Sequence, residues 1–249
     1  MAVGYFLFVA QYLQLVLGLS PLEAGLWSLP SAVGFIIGSQ FAPRVLGGIR
    51  PAYVISGGLA LAAVGLGLLA MAGVDGGLLP LVTGSVVISL GMAPVFGLTT
   101  EMIVGSAPPE QAGAASGISE TAAELGGALG IAIMGSIGIA IYRSELADRL
   151  PPRVPAEAAE AAHDTLGSAA AAAGQLPGEL GAAVLQAARE AFVAGMQLGS
   201  AIAAGIGIAL ATLALLVLRH QEPMAQEGNE EPEMATAAAL SGGPGDGDR

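Results

Sequence analysis

The chain has 249 residues, of which 54% are hydrophobic and only 11% charged, with a mean hydropathy of +0.72. That balance excludes an ordinary soluble domain. Lysine is absent, and eight scattered arginines against twenty acids give a net charge of −12, which argues against a nucleic-acid partner. Absence of cysteine removes disulfides, thiolate metal sites and cysteine nucleophiles.

A bilayer core needs about twenty apolar helical residues, and the sequence offers about six such stretches. The first runs Val3 to Leu19 and stops at Ser20-Pro21, a cap followed by proline at the first helical position. Gln11 and Gln14 are its polar members, able to hydrogen-bond a ligand or a neighbouring helix. The second extends from Pro21 to Leu46 and closes at Gly47, Gly48 and Pro51. Ala52 to Gly73 and Leu78 to Ser106 make the third and fourth; Pro108-Pro109 ends the latter, and Glu101 lies near its end on a face shared with Gly97 and Gly105. An acid so placed is more simply a solvated interfacial residue than a transport group.

The fifth stretch, Glu110 to Tyr142, carries Glu120 and Glu124 inside the longest apolar run. A carboxylate near a bilayer midplane costs several kcal/mol unless paired, hydrated or protonated, so such an acid points to function. Four residues apart on a helix, the two side chains share one face. Gly113, Ser116, Gly117 and Gly127 share it too, whereas Ile118, Leu125, Leu129 and Ile133 cover the other side. Gly113-xxx-Gly117 and Gly126-xxx-Gly130 fit the pattern by which membrane helices approach closely. The pattern therefore predicts carboxylates facing a packed bundle or cavity, with Glu124 close to the midplane and Glu120 one turn nearer the 110 end. Proton coupling or cation binding uses such groups; two acids lining an aqueous vestibule are the plainer reading.

Residues 143–190 form a polar interval with four prolines and a segment, EAAEAAHDTLGSAAAAA, that reads as one surface helix. A sixth stretch covers Ala191 to Leu218. Residues 220–249 hold seven of the twenty acids among Gly, Pro and Ala, and read as a disordered acidic tail. The histidines, His163 and His220, have no companion ligands, and no nucleophile triad, phosphate loop or zinc spacing appears, so neither enzyme chemistry nor a metal or other cofactor is expected.

Three segments carry a family resemblance: FVAQYLQLVLGLSPLEAGLWSLP, APRVLGGIRPAYVISGGLALAAVGLGLL and PPEQAGAASGISETAAELGGALGIAIMGSI. Together they resemble the C-terminal half of major facilitator superfamily drug:proton antiporters, most closely the fourteen-helix EmrB/QacA-type branch. The likeness covers residues 3 to 219 and is most specific over Pro108 to Ser136. It implies an all-α membrane protein whose residues 1–219 form a six-helix half-bundle, beginning at the ninth of fourteen helices. It further implies proton-driven export of hydrophobic or cationic compounds, with Glu124 and Glu120 as coupling or cation-binding candidates and Glu101, Gln11 and Gln14 as weaker ones. The proton gradient would supply the energy, and lipid, a small-molecule drug or cation and the missing N-terminal half would be the partners. The first-half loop motif and the antiporter motif of the family are absent, so a truncated, non-transporting membrane remnant is the alternative. A multi-pass protein of a bacterial plasma membrane follows from the same resemblance.

Orientation is not decided by charge. Arg44, Arg50, Arg219 and Arg249 fall on the side of the termini, and Arg143, Arg149, Arg153 and Arg189 on the other. The resemblance places both termini in the cytoplasm and residues 143–190 outside. In this cysteine-free chain, an impermeant thiol reagent applied to intact cells is expected to label Thr165→Cys and not Gly48→Cys; the reverse pattern overturns the topology.

Overall fold

The computed structural model describes residues 2–46 and 48–219, and the expected acidic tail lies outside them. Every regular element among the described residues is helical. The chain runs α1 (Ala2–Gln11), a π-helical turn (Tyr12–Val16), α2 (Pro21–Leu46), α3 (Pro51–Leu69) and α4 (Leu78–Gly105). A 3-10 turn (Pro109–Gln111) then leads into α5 (Ala112–Arg149), α6 (Ala156–Asp164), α7 (Leu166–Ala173) and α8 (Gly178–Leu218).

Four helices among the described residues are both long and apolar enough to cross a bilayer: α3, α4, Pro109–Arg149 and α8. The two other stretches expected to span fall short of that standard. The first yields only Phe6–Val16 as an apolar helix. The second, α2, is 26 residues long but is diluted by Glu23, Ser28, Ser31, Ser39 and Gln40. Both still belong to the helical bundle, α2 packing along α4 and α1 against α5.

Local signals explain the element boundaries. Ser20 and Glu23 form a reciprocal capping box at the start of α2: the Ser20 N–H donates to Glu23 Oε2 at 2.8 Å and the Glu23 N–H to Ser20 Oγ at 3.3 Å. The first stretch, expected as one continuous helix, instead widens into the π turn and ends at Gly18, whose φ of 70° is left-handed. The wide turn puts the Leu15 carbonyl within reach of Arg189, whose Nε donates to it at 2.8 Å, and the Tyr12 hydroxyl donates to the Gly73 carbonyl. Tyr12, Leu13 and Val16 are thereby buried, whereas Gln11 and Gln14 stay exposed.

The last two spans differ most from expectation. α5 continues to Arg149 and α8 starts at Gly178 instead of near Ala191. Charged residues such as Glu145, Glu179 and Arg189 lower hydropathy without lowering helix propensity, so the helices run past the apolar segment. At 1.5 Å per residue, helices of 38 and 41 residues reach about 57 and 62 Å, well beyond a ~30 Å hydrocarbon core. Against their projecting ends pack α6 and α7, which replace the single surface helix. The break falls at Thr165, whose side chain caps α7 by accepting from the Ser168 N–H at 3.1 Å. Ala162, Leu166 and Ala169 are fully or almost fully buried there. Tyr142 Oη donates to the Ala162 carbonyl at 2.8 Å and Arg143 Nε to the His163 carbonyl at 3.1 Å.

Close helix contact comes from glycines other than those singled out in α5. α3 and α4 run antiparallel, with Gly58 opposite Gly91 and Gly65 opposite Gly84. A Cβ at Gly65 would lie 2.7 Å from the Gly84 carbonyl oxygen, and one at Gly84 the same distance from that of Gly65. Gly113, Gly117 and Gly126 of α5, by contrast, have nothing within 4 Å of such a Cβ. Gly65→Leu is therefore expected to push α3 from α4 at a cost of about 1–3 kcal/mol or more. Gly67→Leu, with open space at its Cβ, should be nearly neutral; thermal unfolding of the two purified variants in detergent measures the difference.

Candidate functional site

The glutamates are placed by α5. Its apolar window is only 11% buried within the chain, and the helix touches its neighbours mainly toward its C-terminal end, where Gly138, Tyr142 and Leu146 are buried. Phe8 of α1 packs over Gly138, and the Gly138 carbonyl backs onto Gly195 of α8. The N-terminal two-thirds of α5 stands open. Glu120 and Glu124 lie on that open part, both exposed, and neither has a hydrogen-bond or ion-pair partner among the described residues. Thr121 Oγ1 between them turns inward to its own helix, donating to the Gly117 carbonyl at 2.8 Å. The ridge of Ile118, Leu125, Leu129 and Ile133 on the other side is exposed as well.

Glu101 is exposed near the end of α4, and Gln11 and Gln14 are exposed at the end of α1 and in the π turn. Glu120 and Glu124 are thus brought together by one helix, and the other three candidates lie on separate elements. Three of the arginines in the charge tally are engaged elsewhere. Arg149 pairs with Glu145 and, at 3.7 Å, with Glu190, and Arg143 with Asp164 at 3.7 Å. Arg189 holds the π turn. These groups tie together the ends of α5, α6 and α8, and at exposed sites each ion pair contributes only about 0–1 kcal/mol.

One feature of the site was not legible as such from the sequence. Between α3, α4, α5 and α8, with Phe8 of α1 at one end, lies a cavity of about 360 Å³. Its walls are apolar: Leu66 of α3, Met92 and Phe96 of α4, Met134 of α5 and Met196 of α8. Met92 and Met134 form a pliable wall, since methionine adapts to irregular shapes. A signal was available in α8, where Gly195, Gly199, Ala203 and Gly207 recur every four residues and leave one helix face bare.

The cavity and the acids meet along α5. Ala123 and Gly127 line the cavity, and each follows one of the glutamates by three residues. At 3.6 residues per turn the carboxylates therefore stand about 60° round the helix from the cavity wall. Ala123 and Gly126 of α5, Phe96 of α4 and Leu210 of α8 are exposed, while Ala62 and Met196 are buried, so the chamber opens to the surface at the α5, Phe96 and Leu210 walls. The arrangement is an apolar chamber with two unpaired carboxylates at its edge.

Residues 1–131 match the family model described as Major Facilitator Superfamily. Similar curated proteins include the multidrug efflux pump LfrA of Mycolicibacterium smegmatis, 36% identical over 88% of this chain and 43% of its own length. The tetracenomycin C resistance and export protein of Streptomyces glaucescens is 32% identical over 95% of this chain and 45% of its own. The methyl viologen resistance protein SmvA of Salmonella typhimurium is 34% identical over 77% of this chain and 38% of its own. The chain spans less than half the length of these relatives. With more than half of its residues matched by the family model and four helices fit to cross a bilayer, the chain is a multi-pass membrane protein that belongs to the major facilitator superfamily of transporters.

Proposed function

We propose that this chain is the C-terminal part of a proton-coupled multidrug efflux transporter of the fourteen-helix branch, working in a bacterial plasma membrane with both termini cytoplasmic. The observation that carries the reading is the pair of partnerless carboxylates, Glu120 and Glu124, on the open stretch of an apolar helix beside an apolar chamber. A carboxylate held there serves as a proton carrier or as the counter-charge of a cationic compound, because either use offsets the cost of an unpaired charge in lipid. Relatives whose names refer to multidrug efflux, to export of tetracenomycin C and to resistance to methyl viologen support a broad, partly cationic substrate range.

The open face of α5 supports the second element of the proposal, an N-terminal half as partner. Transporters of this architecture work by rocking one bundle against the other around a midplane site. A helix whose apolar window is 11% buried has most of its surface left for such contacts and for lipid. Residues 143–190 would lie outside, where the ends of α5 and α8 carry α6 and α7 clear of the membrane.

Two measurements test the proposal. Expressed by itself in an efflux-deficient host, the 249-residue chain is expected to confer no resistance and to drive no dye efflux; proton-dependent ethidium efflux from liposomes holding only this chain would overturn the need for a partner half and favour self-assembly. In a transporter completed by that half, Glu124→Gln is expected to reduce export at least tenfold, since an amide keeps the volume and cannot release a proton. Glu120→Gln should weaken export of cationic compounds more than neutral ones, and Glu101→Gln should change little. Wild-type rates and pH dependence for both members of the pair would make them vestibule residues without a transport role.

A further inference from the structure

The π turn at Tyr12–Val16 leaves one main-chain carbonyl to a side chain from a distant helix. In an uninterrupted α-helix the Leu17 N–H would close onto the Leu13 carbonyl and the Leu19 N–H onto that of Leu15. Here the Leu17 N–H reaches back to the Tyr12 carbonyl and the Leu19 N–H to that of Leu13, each at 3.0 Å. The Ser20 N–H is held by Glu23. Arg189 Nε of α8 donates to the Leu15 carbonyl instead, at 2.8 Å. Arg189 and the Leu19 N–H therefore compete for one acceptor. Single π turns of this kind are frequent at functional sites.

Other contacts depend on the same register. The buried Tyr12 lies against Gly77, where a Cβ would overlap its hydroxyl, and it donates to the Gly73 carbonyl. Phe8, one turn before Tyr12, packs over Gly138 of α5 and meets the Phe192 ring of α8 at 5.9 Å between centroids. Around Arg189, Val184 and Ala188 of α8 are buried in one cluster with Leu166 and Ala169 of α7, and α7 itself touches the π turn.

Loss of the Arg189 bond returns the Leu19 N–H to the Leu15 carbonyl and takes the extra residue out of the turn. One residue is about 100° of a helix, so α1 must then turn by that angle relative to the chain after it. Tyr12 leaves its seat at Gly77, and Phe8 leaves Gly138. We infer that Arg189 is a conformational latch: its hold on the Leu15 carbonyl keeps the first helix in the π register, and separation of α8 from the turn releases α1 to rotate by one residue and withdraw Phe8 from α5. The latch does not involve Glu120 or Glu124 and does not rest on the proton-coupling proposal.

A chain without cysteine suits distance measurement between paired nitroxide labels by pulsed electron resonance. In the full chain in lipid nanodiscs, a label at Leu7→Cys on α1 would be paired with one at Leu198→Cys on α8 or at Leu61→Cys on α3, all exposed positions. Turning a helix about 10–12 Å across by about 100° carries such a label about 8 Å. With Arg189 in place, one distance is expected for each pair. Arg189→Ala should raise the population of a second distance about tenfold, in keeping with a lost hydrogen bond from a charged donor. Arg189→Lys keeps a cationic donor and should restore the first distance. Gly77→Ala evicts Tyr12 and should populate the second distance with Arg189 intact. Deletion of the exposed Gln14 removes the extra residue and leaves α1 in its original orientation, so in that background Arg189→Ala should change neither distance.

Unchanged distances in either Arg189→Ala or Gly77→Ala would overturn the latch. A shift from Arg189→Ala that survives deletion of Gln14 would make the motion a tilt of α1 and overturn the change of register. Glu124→Gln should leave every distance unchanged, so loss of export with the register intact, or the converse, separates the latch from the proposed transport role.

Discussion

The bundle rests on how closely α3 and α4 approach. Inside a membrane, lipid tails are as apolar as leucine, so helices associate by packing rather than by escape from water. The glycine pairs Gly58–Gly91 and Gly65–Gly84 bring backbone against backbone at two points seven residues apart. α2 uses the same device on the other side of α4, where a Cβ at Gly38 would sit 2.8 Å from that of Ala93. α8 then lies along α3, with Gly207 facing Ala63. The chamber exists because α5 does not follow suit. It is held to α8 and α1 near Gly138 and diverges from the tight core formed by α3 and α4, leaving space on the Met134 and Ala123 side.

Polar contacts set the position of α5 at its far end. Tyr142 and Arg143 bind the last carbonyls of α6, Arg149 pairs with Glu145 and Glu190, and Arg189 ties α8 to the π turn. The Gln197 side chain adds a bond from α8 to the Ala72 carbonyl at 2.9 Å, beside the turn after α3. Apolar contacts in the cap, with Leu146, Leu166 and Val184 fully or almost fully buried, supply most of its cohesion. α5 is thus clamped at one end and open at the other, with Glu120 and Glu124 on the open stretch.

The two candidate binding features on this helix have opposite chemistry. Glu120 and Glu124 present charge to the outside of the half-bundle, and Ala123, Gly127 and Met134 present an apolar wall to its inside. Their separation by about 60° of helix rotation keeps the charge out of the apolar space, where no partner would offset its desolvation.

Composition alone determined that this is a helical membrane protein, because no soluble fold accommodates so many apolar runs, and the acid pair stood out because charge in such a run is costly. Proline, glycine and serine placed the starts of α2, α3 and α5 to within two residues, since these residues act through their own backbone. The likeness of Pro108 to Ser136 to drug exporters pointed to the family that the comparisons then showed. Helix ends at 149 and 178 were not legible, because hydropathy reports where lipid is and says nothing of where helicity stops. The π turn, the split at Thr165 and the choice of Gly58, Gly65, Gly84 and Gly91 over the glycines of α5 were decided by tertiary contacts. Every glycine offers the same close approach, and only the facing helix determines which is used. The chamber shows this most plainly: Met92, Met134 and Met196 are scattered in sequence, and only the assembled helices bring them to one apolar space.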